Sequence, residues 1–274
     1  MEGVIWVFVE RVLRGTEKLP WIVERVKECV CRVVADIENV IEDCELKDAL
    51  AHTSALHSLG VISMGTGFLI TSRHVVTCFH VIEGASKIFA ITPSGEKIRL
   101  KPVKVYEKYD LALLEPERAW CRGIDVTSMA RPRIGDIVFT LGYPLLHQGV
   151  DPLLSVGFLS AVSNEDGIEK LTANISFNIG NSGGPLLNED GLLLGVVEAK
   201  SIVKEPLIKI IDEVMKRPGV ELVYGKIAIY GLEIELTLSL AIRTLIRWIE
   251  ANTQSGIGKA ISSKYVSELV RGLK

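Results

Sequence analysis

The pattern of hydrophobic and polar positions divides the chain into a helical start, a strand-rich middle and a mixed end. Between Trp21 and Cys44, apolar residues recur at alternating spacings of four and three, with charged residues between them. This spacing is typical of an amphipathic helix. We therefore expect residues 1–58 to form a helical N-terminal segment. Its apolar face would serve oligomerisation or docking, or would pack on the chain's own next domain.

After Gly60 the pattern changes to short β-rich runs separated by turn signals such as Pro93-Ser94-Gly95. The runs are Val61–Ile70, Val75–Cys78, Lys87–Thr92, Lys97–Tyr106, Leu111–Leu114, Asp136–Leu141, Leu153–Val162, Ile168–Ile175, Leu186–Leu187 and Leu192–Glu198. Many short strands without intervening helical periods predict antiparallel barrels or sandwiches. The fold class expected from the pattern is mainly β.

Beyond residue 200 the periodicity changes again. A helix-like stretch predicts a helical insertion at about 201–224, followed by a strand around Lys226–Tyr230 and a helix near Thr237–Glu250. We expect one β-rich domain over residues 59–250, and a linker with a short C-terminal helix over 251–274.

Composition and charge narrow the classes of function. The 274-residue chain is 48% hydrophobic and 24% charged, with a net charge of -3, which is ordinary globular composition. No basic excess marks a phosphate-binding surface, so we expect no nucleic-acid partner. The apolar run Val4–Val9 is too short for a membrane span or for the core of a signal peptide.

The five cysteines show neither paired C-x-x-C spacing nor a nearby histidine cluster. We therefore expect no zinc site. A disulfide lattice is not predicted either, although one bridge in the N-terminal segment stays open. Together with the absence of a signal-like start, this pattern favours a reducing compartment, and we expect a cytoplasmic location.

The stretch Gly180-Asn181-Ser182-Gly183-Gly184-Pro185 carries the strongest chemical signal. A serine attacks a carbonyl carbon when a base removes its proton and when preorganised N–H donors stabilise the oxyanion. Glycines allow a backbone turn in which such donors converge. The alternative interpretation is an ordinary glycine-rich hairpin turn. Residues elsewhere in the chain must therefore show whether Ser182 is a nucleophile.

Chain order tests the possible partners of Ser182. All five histidines precede it, which excludes the α/β-hydrolase order of nucleophile, acid and histidine. The subtilisin order of acid, histidine and serine belongs to a parallel α/β fold, which the β-rich middle of the chain argues against, so the order histidine, aspartate, serine remains. His80 ends an apolar strand and Asp110 directly precedes another. Taken singly, a satisfied buried histidine and an aspartate bonding its own backbone are equally good interpretations.

Four segments resemble the chymotrypsin-type serine proteases, and specifically the HtrA-like (Deg-type) family. They are Gly65-Thr66-Gly67-Phe68-Leu69-Ile70, Thr77-Cys78-Phe79-His80-Val81, Asp110-Leu111-Ala112-Leu113-Leu114 and the Gly180–Pro185 stretch. The resemblance covers roughly residues 60–250. It implies two antiparallel six-stranded β-barrels with the catalytic site in the cleft between them.

Roles follow from the same resemblance. His80 would be general base and then acid, Asp110 its orienting carboxylate, and Ser182 the nucleophile, with the N–H groups of Gly180 and Ser182 as the oxyanion hole. Asn181 stands where digestive proteases carry an aspartate that pairs with a newly cut amino terminus. Activation by that ion pair is therefore not expected.

The substrate pocket is the part of the site that the sequence indicates least clearly. Its expected lining is Ser176, Phe177, Ile179, Val196, Val197 and Glu198. No acid marks the base of the pocket, so small or medium aliphatic side chains are expected at the cleavage position.

The function expected is a serine endopeptidase that acts on unfolded or exposed polypeptides, in protein quality control, without metal or other cofactor. The alternatives are a non-catalytic chaperone-like or protein-binding scaffold on the same fold, and a protease dedicated to one precursor. Because few residues follow Glu250, no PDZ domain is expected. A homo-oligomer, with a trimer as one form, is expected from the family and the N-terminal helix.

Overall fold

The described part of the chain contains two closed β-barrels. A computed structural model describes residues 18–37, 62–71, 73–126, 130–145, 147, 149–199, 223–229, 232–238, 241–242, 245 and 256–271. A helix over residues 18–27 precedes the first strand. Within the described residues, no helix combines the length and the apolar character that a membrane crossing requires.

The first barrel is built from six antiparallel strands in the order β1-β2-β3-β6-β5-β4. They are β1 Val30–Asp36, β2 Ile62–Ile70, β3 His74–Cys78, β4 Lys87–Ile91, β5 Lys97–Tyr106 and β6 Leu111–Pro116. The barrel closes because β1 pairs with β2 on one side and with β4 on the other. The strand runs read from the pattern are confirmed for β2 to β6.

The prediction of a helical segment over residues 1–58 is wrong at Val30–Asp36, which forms β1. All seven residues of this strand are buried, and its valines are β-branched residues that favour a pleated, packed surface. Without β1, both β2 and β4 would present a free edge. Barrel closure therefore overrides the helical spacing. Residues 1–17 and 38–58, where the rest of the prediction falls, lie outside the described residues.

The second barrel follows the order β10-β11-β14-β9-β8-β7. Its strands are β7 Ile137–Gly142, β8 Leu153–Glu165, β9 Ile168–Ala173, β10 Pro185–Asn188, β11 Leu193–Glu198 and β14 Gly258–Ser262. The expectation of two six-stranded antiparallel barrels is thus confirmed. One apolar cluster runs through the first barrel and continues into residues of the second, including Tyr143 and Val196, so the barrels pack on a shared core.

The C-terminal part departs from the prediction in one strand. β14 lies in the stretch 251–274, which was expected to hold only a linker and a short helix, and it pairs with both β9 and β11, so the second barrel extends beyond residue 250. The short C-terminal helix is present at Lys264–Val270. Its Tyr265 stacks on Tyr109 at a centroid distance of 4.2 Å, which ties the end of the second barrel to the first.

Between β11 and β14 the structure describes a two-stranded hairpin, β12 Val223–Ile229 and β13 Leu232–Thr237. The strand predicted around Lys226–Tyr230 is confirmed, whereas β13 was not predicted. Residues 238, 241, 242 and 245 are helical, in agreement with the predicted helix. The remaining positions of that helix and most of the predicted insertion lie outside the described residues.

A disulfide joins Cys29, directly before β1, to Cys121, with a Cα–Cα distance of 5.6 Å. It fastens the N-terminal strand of the first barrel to the segment that follows β6. Cys31 and Cys78 are buried in the barrel and are not disulfide-bonded. The sequence left open a bridge within the N-terminal segment, whereas the observed bridge joins Cys29 of that segment to Cys121 after β6.

Candidate active site

His80 and Asp110 lie side by side because the strands that carry them are neighbours. His80 lies in the one-turn helix Phe79–Ile82, directly after β3, and Asp110 directly precedes β6. β3 and β6 pair antiparallel, with Cys78 opposite Leu111. The end of one strand therefore meets the start of the other.

The two side chains make a two-point contact. Nδ1 of His80 lies 2.6 Å from Oδ2 of Asp110, and the backbone N–H of His80 donates to Oδ1 at 2.9 Å. The His80 side chain is 30% exposed and that of Asp110 is 11% exposed. With Nδ1 committed to the carboxylate, Nε2 is the nitrogen that can exchange a proton. This is the arrangement in which a carboxylate fixes the orientation and tautomer of a histidine.

Ser182 lies in a turn that two glycines make possible. Gly180 and Gly183 have φ values of 98° and 88°, in the left-handed region where side chains are strained. A Cβ on Gly183 would strike the carbonyl oxygen of Thr66 and the backbone amide of Cys78. The turn therefore packs directly on β2 and on the end of β3 that leads to the histidine.

Further close approaches fix the serine at the seam between the barrels. The N–H of Thr66 donates to the carbonyl of Ser182 at 2.8 Å, and the N–H of Ala199 donates to Oγ of Ser182 at 3.2 Å. A Cβ on Gly65 would lie 2.6 Å from Val81 and 2.9 Å from the Ser182 carbonyl oxygen. The serine and the helix that carries the histidine thus face each other across one glycine.

Two peptide groups around Gly180 have their carbonyls engaged inside the protein. The carbonyl of Ile179 accepts from the N–H of Leu145 at 2.8 Å, and that of Asn181 accepts from the N–H of Gly184 at 3.0 Å. In a trans peptide the N–H points opposite to the C=O. The N–H groups of Gly180 and Ser182 are therefore directed away from these interior contacts. Neither carbonyl points to the side of the peptide on which the N–H group lies.

The residues expected to line the pocket occupy two different environments. Ser176, Phe177 and Ile179 are partly buried in the segment before the serine. Val196 and Val197 are fully buried, with their side chains in the barrel cores. Their side chains are therefore not available to a substrate.

Glu198, the last of the expected lining residues, forms an ion pair with Lys170, and both side chains are 11% exposed. The ring of Phe177 lies directly against Gly258, where no Cβ would fit.

A metal ion is a poorer explanation of this cluster than the hydrogen-bonded pair of His80 and Asp110. Cys78, His80 and Asp110 each offer a ligand atom within 4.8 Å of the others. However, Sγ of Cys78 donates to the carbonyl of Val197 at 3.3 Å, and Nδ1 of His80 is committed to Asp110. The donor atoms are thus used within the protein.

Sequence reasoning missed two buried polar residues, Thr66, which contacts the Ser182 turn, and Arg32, which contacts the neighbouring residue Tyr143. Thr66 is fully buried, and its hydroxyl donates to the carbonyl of Gly180 at 2.6 Å. A polar side chain between two glycines in an apolar strand is a visible signal for it. Arg32 had no comparable signal, because its position suited the exposed face of the predicted helix.

Comparisons with known proteins agree with this fold. Residues 65–196 match the family model described as a trypsin-like peptidase domain. A relative from Chlamydia muridarum, named a probable periplasmic serine endoprotease DegP-like, is 34% identical over 141 residues, which cover 48% of this chain and 27% of the relative. The chain therefore contains a region similar to a trypsin-like peptidase domain, and it is similar in sequence to DegP-like serine endoproteases. It spans about a quarter of the length of that relative.

Solved structures of this fold superpose on the chain. An HtrA-type protease, AlgW with a tripeptide, matches with a TM-score of 0.59 and 18% identity, over 92% of this chain and 62% of that one. The active form of the Rv3671c protease from M. tuberculosis matches with a TM-score of 0.58 and 16% identity, over 91% and 82%. These matches support the two-barrel fold.

The expectation of a cytoplasmic location is wrong. The relative from Chlamydia muridarum is named periplasmic, as are further relatives of comparable similarity. Cysteine number and the apolar run near the start were the basis of that expectation, and neither is a specific signal for a compartment. The Cys29–Cys121 disulfide is also of the kind that persists in oxidising compartments.

Proposed function

We propose that the chain is a serine endopeptidase in which Ser182, His80 and Asp110 form the catalytic triad. The observation that carries this proposal is the two-point contact between His80 and Asp110, at 2.6 Å and 2.9 Å, next to the glycine turn of Ser182. It supports the peptidase over the non-catalytic scaffold, since a binding surface needs no oriented histidine beside a serine.

The proposed reaction proceeds through an acyl-enzyme. Nε2 of His80 removes the Ser182 hydroxyl proton while Oγ bonds to the substrate carbonyl carbon, and Asp110 stabilises the imidazolium that forms. The backbone N–H groups of Gly180 and Ser182 stabilise the oxyanion. Collapse breaks the C–N bond, and His80 gives its proton to the leaving amine. Water then repeats these steps on the ester and releases the acid.

The same proposal includes a shallow primary pocket. The ring of Phe177 packs against Gly258 on β14 and contacts the core of the second barrel, so it occupies space that a deep pocket would need. Small or medium aliphatic side chains fit such a site. Cleavage of a peptide library mainly after Lys, Arg or Phe would contradict this assignment.

We also propose that the substrates are unfolded or exposed polypeptides and that the protein works outside the cytoplasm, in quality control. The names of the periplasmic relatives and the disulfide support the location.

Homo-oligomer formation is part of the proposal as well. Its test is a mass measurement with and without residues 1–17, a truncation that spares the helix at 18–27 and β1.

A fluorophosphonate probe together with denatured casein tests the peptidase proposal. We expect the wild type to be labelled and to degrade casein, and Ser182→Ala to do neither while keeping the same circular dichroism spectrum. Labelling of the wild type without casein cleavage would point to a dedicated precursor. Absence of both in folded wild-type protein would contradict the peptidase proposal and favour the scaffold.

A further inference from the structure

Arg32 and Thr66 are a pair of buried polar residues in the apolar wall of the first barrel. They stand directly opposite each other in the antiparallel register of β1 and β2, so their side chains share one face. Arg32 is 1% exposed and Thr66 is 0% exposed. Both reach the second barrel at Tyr143, the residue that follows β7.

Thr66 makes three hydrogen bonds to the backbone of the second barrel. Its hydroxyl donates to the carbonyl of Gly180 at 2.6 Å and accepts from the N–H of Tyr143 at 2.9 Å. Its own N–H donates to the carbonyl of Ser182 at 2.8 Å. A single residue thus fixes the residues on both sides of Asn181 relative to the first barrel.

Arg32 holds the segment between β7 and β8, here called the β7–β8 segment (residues 143–145, 147 and 149–152). Its guanidinium lies over the ring of Tyr143, 5.0 Å from the centroid. The same group donates to the carbonyls of His147 at 2.6 Å and Gly149 at 3.1 Å. Burial of a charge is costly unless it is compensated. Here a ring face and two carbonyls compensate part of that cost, while Nε of Arg32 has no hydrogen-bond partner among the described residues.

The β7–β8 segment is in turn connected to the oxyanion hole. The N–H of Leu145 donates to the carbonyl of Ile179 at 2.8 Å. That carbonyl belongs to the peptide whose N–H is the Gly180 donor. If the β7–β8 segment moved, this peptide could rotate, and the carbonyl would then replace the N–H in the hole.

We propose that Arg32 and Thr66 are positioning residues that hold the oxyanion hole in its working orientation from the opposite barrel. Thr66 acts on Gly180 and Ser182 directly, and Arg32 acts through Tyr143 and the β7–β8 segment. This inference rests on the proposed peptidase function. Under this inference, contacts from the first barrel keep the oxyanion hole ordered before a substrate binds.

The test compares Thr66→Val, which removes only the hydroxyl, with Thr66→Ser, which keeps it. The substrate is a peptide p-nitroanilide ending in valine. Because loss of an oxyanion donor costs about 10²- to 10³-fold in kcat, we expect an indirect loss of about 10- to 100-fold for Thr66→Val, with KM within about threefold. Thr66→Ser should stay within about threefold of the wild type in kcat.

Arg32 is tested by Arg32→Met and Arg32→Lys. Methionine keeps the apolar stem but donates nothing, so kcat should fall as for Thr66→Val. Lysine keeps the charge, but its compact ammonium cannot lie over the Tyr143 ring as the planar guanidinium does, so an intermediate kcat is expected.

Thr140→Val is the matched control for these variants. Thr140 is 1% exposed on β7, and within the described part of the chain its hydroxyl has no hydrogen-bond partner. The same chemical change there should leave kcat and KM unchanged. Thermal unfolding of every variant confirms that the measured protein is folded.

The outcomes separate the inference from the proposed function. If the wild type turns over and Thr66→Val loses stability but keeps its kcat, Thr66 is structural only and the inference fails. If kcat falls equally in Thr66→Val and Thr66→Ser, the hydroxyl is not the cause and the inference also fails. An unreactive wild type would instead overturn the peptidase proposal itself.

Discussion

Removal of the Cys29–Cys121 disulfide should lower the stability of the first barrel substantially. The two cysteines are 92 residues apart, and the chain-entropy relation for a loop of that length gives about 4.6 kcal/mol at 25 °C. The closed loop contains β1 to β6 in full, so the bridge restricts the whole unfolded first barrel. Because residual structure and relaxation reduce such effects, we expect a loss of about 3–4.5 kcal/mol in the double variant Cys29→Ser/Cys121→Ser.

Urea denaturation followed by circular dichroism measures this loss. With a slope of about 2 kcal/mol per M, the midpoint should fall by about 2 M. Dithiothreitol should produce the same shift in the wild type and none in the double variant. Thiol titration of the denatured, unreduced wild type should find at most three thiols, since Cys29 and Cys121 are bridged and the chain has five cysteines. Five thiols, or a midpoint that reductant leaves unchanged, would refute the reasoning.

Three further substitutions test the site. Asp110→Asn should lower kcat about 10⁴-fold in a folded protein, since the amide no longer fixes the tautomer of His80; a loss below about tenfold in a peptide assay would contradict the triad. Gly183→Ala forces a Cβ against backbone atoms at a φ of 88°, and should cost more than about 3 kcal/mol in urea denaturation. Phe177→Ala should open the pocket beside Gly258 and move the preference in a peptide library toward larger residues; an unchanged preference would remove Phe177 from the pocket.

Local sequence determined the strands and the three candidate residues. The short β-rich runs that become β2 to β11 are a short-range signal, because each strand buries one or both faces wherever it pairs. The glycines around Ser182 were also recognisable in the sequence. Only glycine suits these positions, because their left-handed φ values and close contacts admit no side chain. The order of His80, Asp110 and Ser182 along the chain separated one class of hydrolase from another before any contact was visible.

The tertiary structure decided what depends on distant partners. Val30–Asp36 has a spacing compatible with a helix, and it becomes a strand because β2 and β4 both need a neighbour. β14 closes the second barrel for the same reason. The partner of Cys29 lies 92 residues away, beyond the reach of any local pattern. Arg32 and Thr66 act across the seam between barrels, so only the packed fold brings their side chains to the backbone beside Ser182.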